Sequence, residues 1–130
     1  MKRNSGNRGF TLIELVAVMV ILAILAVIAI PQFVDLRADA RLAATQGVAG
    51  ALSSASTLNY ATRSVNAANG SAVANCTTVG TLLQGGLPSE GALGPYTITA
   101  AAVAAGAAVQ CTLTHPSGAP TATFTALGIL

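Results

Sequence analysis

One carboxylate, Glu14, stands at the head of sixteen uninterrupted apolar residues, Leu15 to Ile30. At the centre of a bilayer helix a charged side chain costs roughly 2.5–3.5 kcal/mol on insertion scales, so a carboxylate retained here marks function. From Phe10 to Ile30 there are 21 residues, which at helical rise extend about 30 Å, one hydrocarbon core. Ahead of them runs Lys2-Arg3-Asn4-Ser5-Gly6-Asn7-Arg8-Gly9, basic and free of acid. The next cation is Arg37, so the amino end is expected to stay cytoplasmic and the chain beyond about Pro31 to lie across the membrane. An ordinary secretory signal has a shorter apolar core and small residues at its cut, whereas this run ends in Ile-Pro-Gln-Phe. A plain single-span anchor leaves Glu14 without a reason.

Arg8-Gly9-Phe10-Thr11-Leu12-Ile13-Glu14-Leu15 resembles the processing site of a type IV prepilin. That pattern joins a short basic leader ending in Gly, an aromatic residue after the cut, Glu five residues into the mature chain, and an apolar run followed by Pro, here Pro31. Further on, Phe33-Val34-Asp35-Leu36, Asp39-Ala40-Arg41 and Gly47-Val48-Ala49-Gly50-Ala51-Leu52 are similar to the helix of mannose-sensitive-haemagglutinin-like type IVa pilins. The C-terminal half has no specific resemblance. The resemblance implies a pilin fold, cleavage between Gly9 and Phe10 by prepilin peptidase, and N-methylation of Phe10. It also implies passage through an inner-membrane assembly platform and self-polymerisation into a surface filament serving adhesion, motility or attachment. Glu14 is then the assembly residue. Its carboxylate would neutralise the Phe10 ammonium of a neighbouring subunit, since a buried pair costs far less than either charge alone. Gly9 suits a peptidase that must bind extended backbone beside the scissile bond.

Composition agrees with a polymer subunit. The chain has 130 residues, 53% hydrophobic and only 8% charged, with formal charge +2. Without residues 1–9, three arginines face four acids and no lysine remains. Such a balance favours association over solubility and lacks the clustered Lys and Arg that nucleic-acid binding requires.

The chain divides into a leader over residues 1–9, a transmembrane and assembly half-helix over 10–30, an amphipathic half-helix over 31–65 and a globular region over 66–130. Pro31 lacks an amide hydrogen and crowds the turn before it, so a kink is expected there. Beyond it, Leu36, Ala40, Ala43, Gly47, Ala51, Ala55, Leu58 and Thr62 recur at helical spacing, with Val48 and Leu52 beside them. This stripe is expected to be the packed face, with Asp35, Arg37, Asp39, Arg41, Thr45 and Gln46 more exposed. The helix should fray near Ser64 and stop by Gly70. Gly47 and Gly50 each cost roughly 1 kcal/mol in a helix interior, which implies close approach of the sheet or of a neighbouring helix. Cys76 to Gln84 can hold a short helix packing Val79, Leu82 and Leu83. Three strand-like runs follow, Tyr96–Val103, Ala107–Thr114 and Thr121–Leu127, with Val109, Cys111 and Leu113 on one face. The fold class is therefore α+β, one long helix against a small antiparallel sheet.

Cys76 and Cys111 are the only cysteines. On the oxidising side of the membrane a disulfide is expected, closing about 36 residues for on the order of 3.5–4 kcal/mol in the chain-entropy treatment. Free thiols or metal ligands are the alternatives. His115, before Pro116, reads as a surface turn residue. Asn69-Gly70-Ser71 and Asn75-Cys76-Thr77 match a glycosylation triplet, too short a pattern to carry weight. Phe10, Phe33, Tyr60, Tyr96 and Phe124 read as core residues. No catalytic constellation, cofactor set or metal set is expected. The rival class is a type II secretion pseudopilin, disfavoured because Glu90 is the only acid after residue 39 and calcium wants several carboxylates.

Overall fold

A computed structural model describes residues 9–130, apart from the side chains of residues 30–35. In chain order it contains helix α1 (Leu12–Val65), helix α2 (Cys76–Val79), 3-10 turns at Gly80–Leu82 and Gly91–Leu93, and strands β1 (Thr97–Ile98), β2 (Ala108–Thr114) and β3 (Thr121–Leu127). The chain separates into two compact units, Met1–Arg37 and Ala38–Leu130. The leader expected over residues 1–9 lies, but for Gly9, outside the described residues. Helix α1 is assigned through Pro31; the kink expected at Pro31 falls among the undescribed side chains.

In the first unit, Leu12–Ala29 is a helical stretch long and apolar enough to cross a membrane. Its large side chains are open, from Val16 at 48% exposed to Leu12 at 81%. The described residues give this surface no cover, which is what a segment meant for lipid or for other chains requires.

In the second unit, β1, β2 and β3 form an antiparallel meander in the order β1-β2-β3. Seven residue pairs, Ala108↔Leu127 through Thr114↔Thr121, set the β2–β3 register. The two later strands lie where the alternation placed them. The first expected strand shortens to two residues, pairing Thr97↔Thr114 and Ile98↔Leu113. Downstream of β1 the backbone turns to other partners. Cys76 N–H donates to Ala101 O at 2.9 Å and Val103 N–H to Ala74 O at 2.9 Å, tying the connector to this segment. Gly128 permits another close approach: a Cβ there would lie 1.9 Å from Ala104 O.

The core collects Ala49 and Leu52 from α1, Val73, Cys76 and Val79 from the connector, and Tyr96, Val103, Cys111, Leu113, Phe124 and Ala126 from the sheet region. Leu82 and Leu83 pack at its rim, as the short-helix reading requires. Among the aromatics, Tyr96 and Phe124 are core residues and Tyr60 is half-buried. Phe10, at 86% exposed, is not part of the core, and Phe33 has no described side chain.

The helix face needs correction. The buried residues of α1 are Thr45, Ala49, Leu52, Ser56 and Asn59. Most of the anticipated stripe, including Gly47, Ala51 and Leu58, is exposed, with Leu58 at 68%. Thr45, expected outside, is fully buried. Hydrogen bonding decided the face. Ser53 Oγ accepts from Thr125 N–H at 3.1 Å and Ser56 Oγ from Leu127 N–H at 2.8 Å. Thr45 donates its hydroxyl to Arg41 O at 2.7 Å. Helix hydroxyls thus satisfy the outer edge of β3, whose amides would otherwise be orphaned. A Cβ built on Gly47 or Gly50 meets nothing within 4 Å, so the sheet is not what these glycines accommodate.

Candidate processing and assembly site

The residues around the expected cut occupy the first turn of α1 and the three positions before it. Gly9 and Phe10 lie outside any helix or strand and are exposed. Gly9 has no positive φ, and a Cβ there meets nothing within 4 Å. Among the described residues, nothing in the packing requires glycine at position 9.

Thr11 is the residue that caps the helix. Its backbone N–H donates to Glu14 Oε2 at 2.9 Å, as does its hydroxyl, and Thr11 Oγ1 accepts from Glu14 N–H at 3.4 Å. Threonine followed three residues later by glutamate is a capping box, in which each side chain satisfies the other's backbone amide. The first amides of a helix have no partner within it, and in lipid no water can serve them. Glu14 is therefore held in place by its own chain. Oε2 carries both Thr11 bonds, and no hydrogen bond within the described residues engages Oε1. A carboxylate fixed at the head of an apolar helix, with one oxygen free, can accept a cation presented from outside. Thr11, inside the cleavage pattern, also carries the capping-box signal in the sequence, Thr followed three residues later by Glu.

The second unit holds the other residues singled out. Cys76 and Cys111 form a disulfide with Cα atoms 5.8 Å apart, both sulfurs' residues at most 1% exposed. It joins the start of α2 to the middle of β2. Asn75 N-caps α2: its Oδ1 accepts from Thr77 N–H at 3.1 Å and from the Thr77 hydroxyl at 3.0 Å. That engagement gives the Asn-Cys-Thr triplet a structural reason.

His115 is not a surface turn residue. It is 1% exposed, because the inward alternation Val109, Cys111, Leu113 runs one step further than β2 itself. Ser117 N–H donates to His115 Nδ1 at 3.1 Å, with Ser117 Oγ 2.8 Å from the same nitrogen. Nε2 stands 3.1 Å from Glu90 Oε2, close enough to pair electrostatically but outside hydrogen-bond alignment. The Tyr96 ring meets the imidazole edge-on at 5.3 Å. The cluster clasps the β2–β3 turn to the 90–96 loop. The exposed Ser117 hydroxyl donates to Ala119 O at 2.7 Å, so its proton is engaged by the turn backbone and the cluster has a structural role in this turn.

Residues 4–30 fit the family model described as the prokaryotic N-terminal methylation motif, the prepilin signal of type IV pilin-like proteins. The match spans the leader, the cut, Glu14 and the apolar run, and leaves residues 31–130 outside it. It supports a place in the type IV pilin and pseudopilin family, whose signal implies processing by prepilin peptidase and assembly into a filament. No curated protein and no solved structure matches the chain.

Proposed function

We propose that this chain is the structural subunit of a type IV pilus. The precursor sits in the inner membrane with its amino end cytoplasmic and is cut between Gly9 and Phe10. Phe10 is N-methylated, and an assembly platform builds the mature chains into a surface filament. The observation that carries this reading is the methylation motif at residues 4–30 laid on an apolar helix that the described residues leave uncovered. A lone exposed helix of this kind is unstable in water. It is stable in lipid before assembly and against copies of itself afterwards.

Glu14 links the two states. Cleavage creates an ammonium on Phe10, only one residue before the capping box. An ammonium moved from lipid into a filament core needs a partner, and Glu14 of a neighbouring copy offers its free oxygen. The bond fixes axial register, because it forms at one stagger only. The reading is non-enzymatic. The Cys76–Cys111 bond and the scarcity of carboxylates after residue 39 support a pilus over a secretion pseudopilus.

Electron microscopy of surface-sheared material from wild-type and Gly9→Val cells tests the proposal. Wild-type cells should yield filaments containing this chain, and Gly9→Val cells none, with the precursor held in the membrane. Filaments built from Gly9→Val protein still carrying its leader would overturn it.

A further inference from the structure

Four asparagines follow the expected cut, and three are held. Asn59 is buried, with Nδ2 donating to Ser71 O at 2.9 Å and Oδ1 accepting from Ser71 N–H at 2.8 Å. Asn66 Oδ1 accepts from Ala68 N–H at 2.9 Å, and Asn75 caps α2. Asn69 is different. It lies exposed in the turn after α1, and its side chain has no hydrogen bond among the described residues. The next residue is Gly70, whose amide donates to no described acceptor and which has no side chain to shield that amide.

We infer that Asn69-Gly70 is a site of self-modification, an asparagine that converts to aspartate and isoaspartate without an enzyme. Asparagine is among the thermally labile side chains, and its reaction needs a backbone nitrogen on the next residue free to reach the side-chain amide. Gly70 N attacks Asn69 Cγ, forming the N–Cγ bond of a five-membered imide. The Cγ–Nδ2 bond breaks, and the departing nitrogen leaves as ammonia with the proton that Gly70 N gives up. Water then adds to either imide carbonyl. Opening at the main-chain carbonyl carbon leaves isoaspartate, whose backbone runs through the former side chain, and opening at Cγ leaves ordinary aspartate.

The turn makes the outcome matter. Gly70 adopts φ +77 with so little room that a Cβ would come within 2.5 Å of Asn59 Oδ1. Isoaspartate inserts one methylene into the main chain beside this contact. The added length displaces Gly70 and Ser71 from the buried Asn59 amide, breaking the two Asn59–Ser71 bonds that help tie the connector to α1. Both products add a carboxylate two residues after Ala67, whose carbonyl accepts from Arg63 Nη1 at 2.6 Å. Ageing therefore loosens the junction and changes the surface charge of the second unit.

The test ages detergent-purified full-length chain at mildly alkaline pH. Mass spectrometry with electron-transfer fragmentation locates the exchange of amide for acid and separates isoaspartate from aspartate. The exchange should appear at Asn69, with Asn59, Asn66 and Asn75 keeping their amides, and Asn69→Gln should abolish it. Aged wild-type protein should also unfold at a lower temperature than aged Asn69→Gln protein. A synthetic peptide of residues 64–74 serves as the unfolded control. If that peptide reacts while folded Asn69 keeps its amide, the inference fails. Equal reaction at the other asparagines, or isoaspartate at 69 with an unchanged unfolding temperature, contradicts it as well.

Discussion

Glu14 and Thr11 make separable contributions. In Glu14→Ala the apolar run becomes more compatible with lipid, so insertion and leader cleavage should survive while filaments fall or vanish. On the proposed reading, the partner of a buried ammonium is lost, a deficit large enough to shift a polymerisation equilibrium more than about a hundredfold. Processed monomer should then accumulate in the membrane, which immunoblotting of membrane and sheared fractions measures; Glu14→Asp should fall between. Thr11→Val keeps the carboxylate but removes the hydroxyl that orients it, so it should assemble less well than wild type, while Thr11→Ser should restore assembly. Equal filament yield from Thr11→Val and wild type would show that the capping box does not position Glu14 for assembly. Position, charge and spacing single out Glu14 in the sequence, and the structure adds the Thr11 bonds that hold it. His115 was misread for a physical reason: His-Pro-Ser-Gly carries every mark of an exposed turn, and the signal that it is buried was the period-two alternation continuing from Leu113.

Strands β2 and β3 and both ends of α1 could be read because alternation and helical periodicity follow directly from backbone geometry. The helix face could not. Ala, Gly, Ser and Thr differ little in apolar area, so in the segment from Leu36 to Thr62 hydrophobicity barely distinguishes one side from another. Partners for the β3 edge amides settled it, through Ser53 and Ser56. Ser56→Ala leaves the Leu127 amide without an acceptor in a site where Ser56 is fully buried, a loss of about 1–3 kcal/mol that thermal or denaturant unfolding would register. Gly50→Ala acts in the opposite sense. The new methyl meets nothing, so the monomer should gain roughly 1 kcal/mol from helix propensity. If a neighbouring helix uses that open space, the same variant should form fewer filaments despite its greater stability; a more stable variant with full filament yield would assign Gly50 no role in packing.

The molecule joins an apolar helix that its own described residues leave uncovered to a second unit closed by one disulfide. That unit is poor in charge and modest in core, so the bond between Cys76 and Cys111 should matter to it. Cys111→Ser is expected to destabilise it by roughly 2–4 kcal/mol and to deplete surface subunit through degradation, visible as a lower unfolding midpoint and weaker immunoblots of sheared protein. The central claim, that this precursor is cut, methylated and polymerised, meets its most direct test in the intact mass of protein sheared from the cell surface. A chain beginning at Phe10 with one methyl group on its amine is the predicted result. A mass that retains residues 1–9, or one that begins near Pro31, would contradict the account.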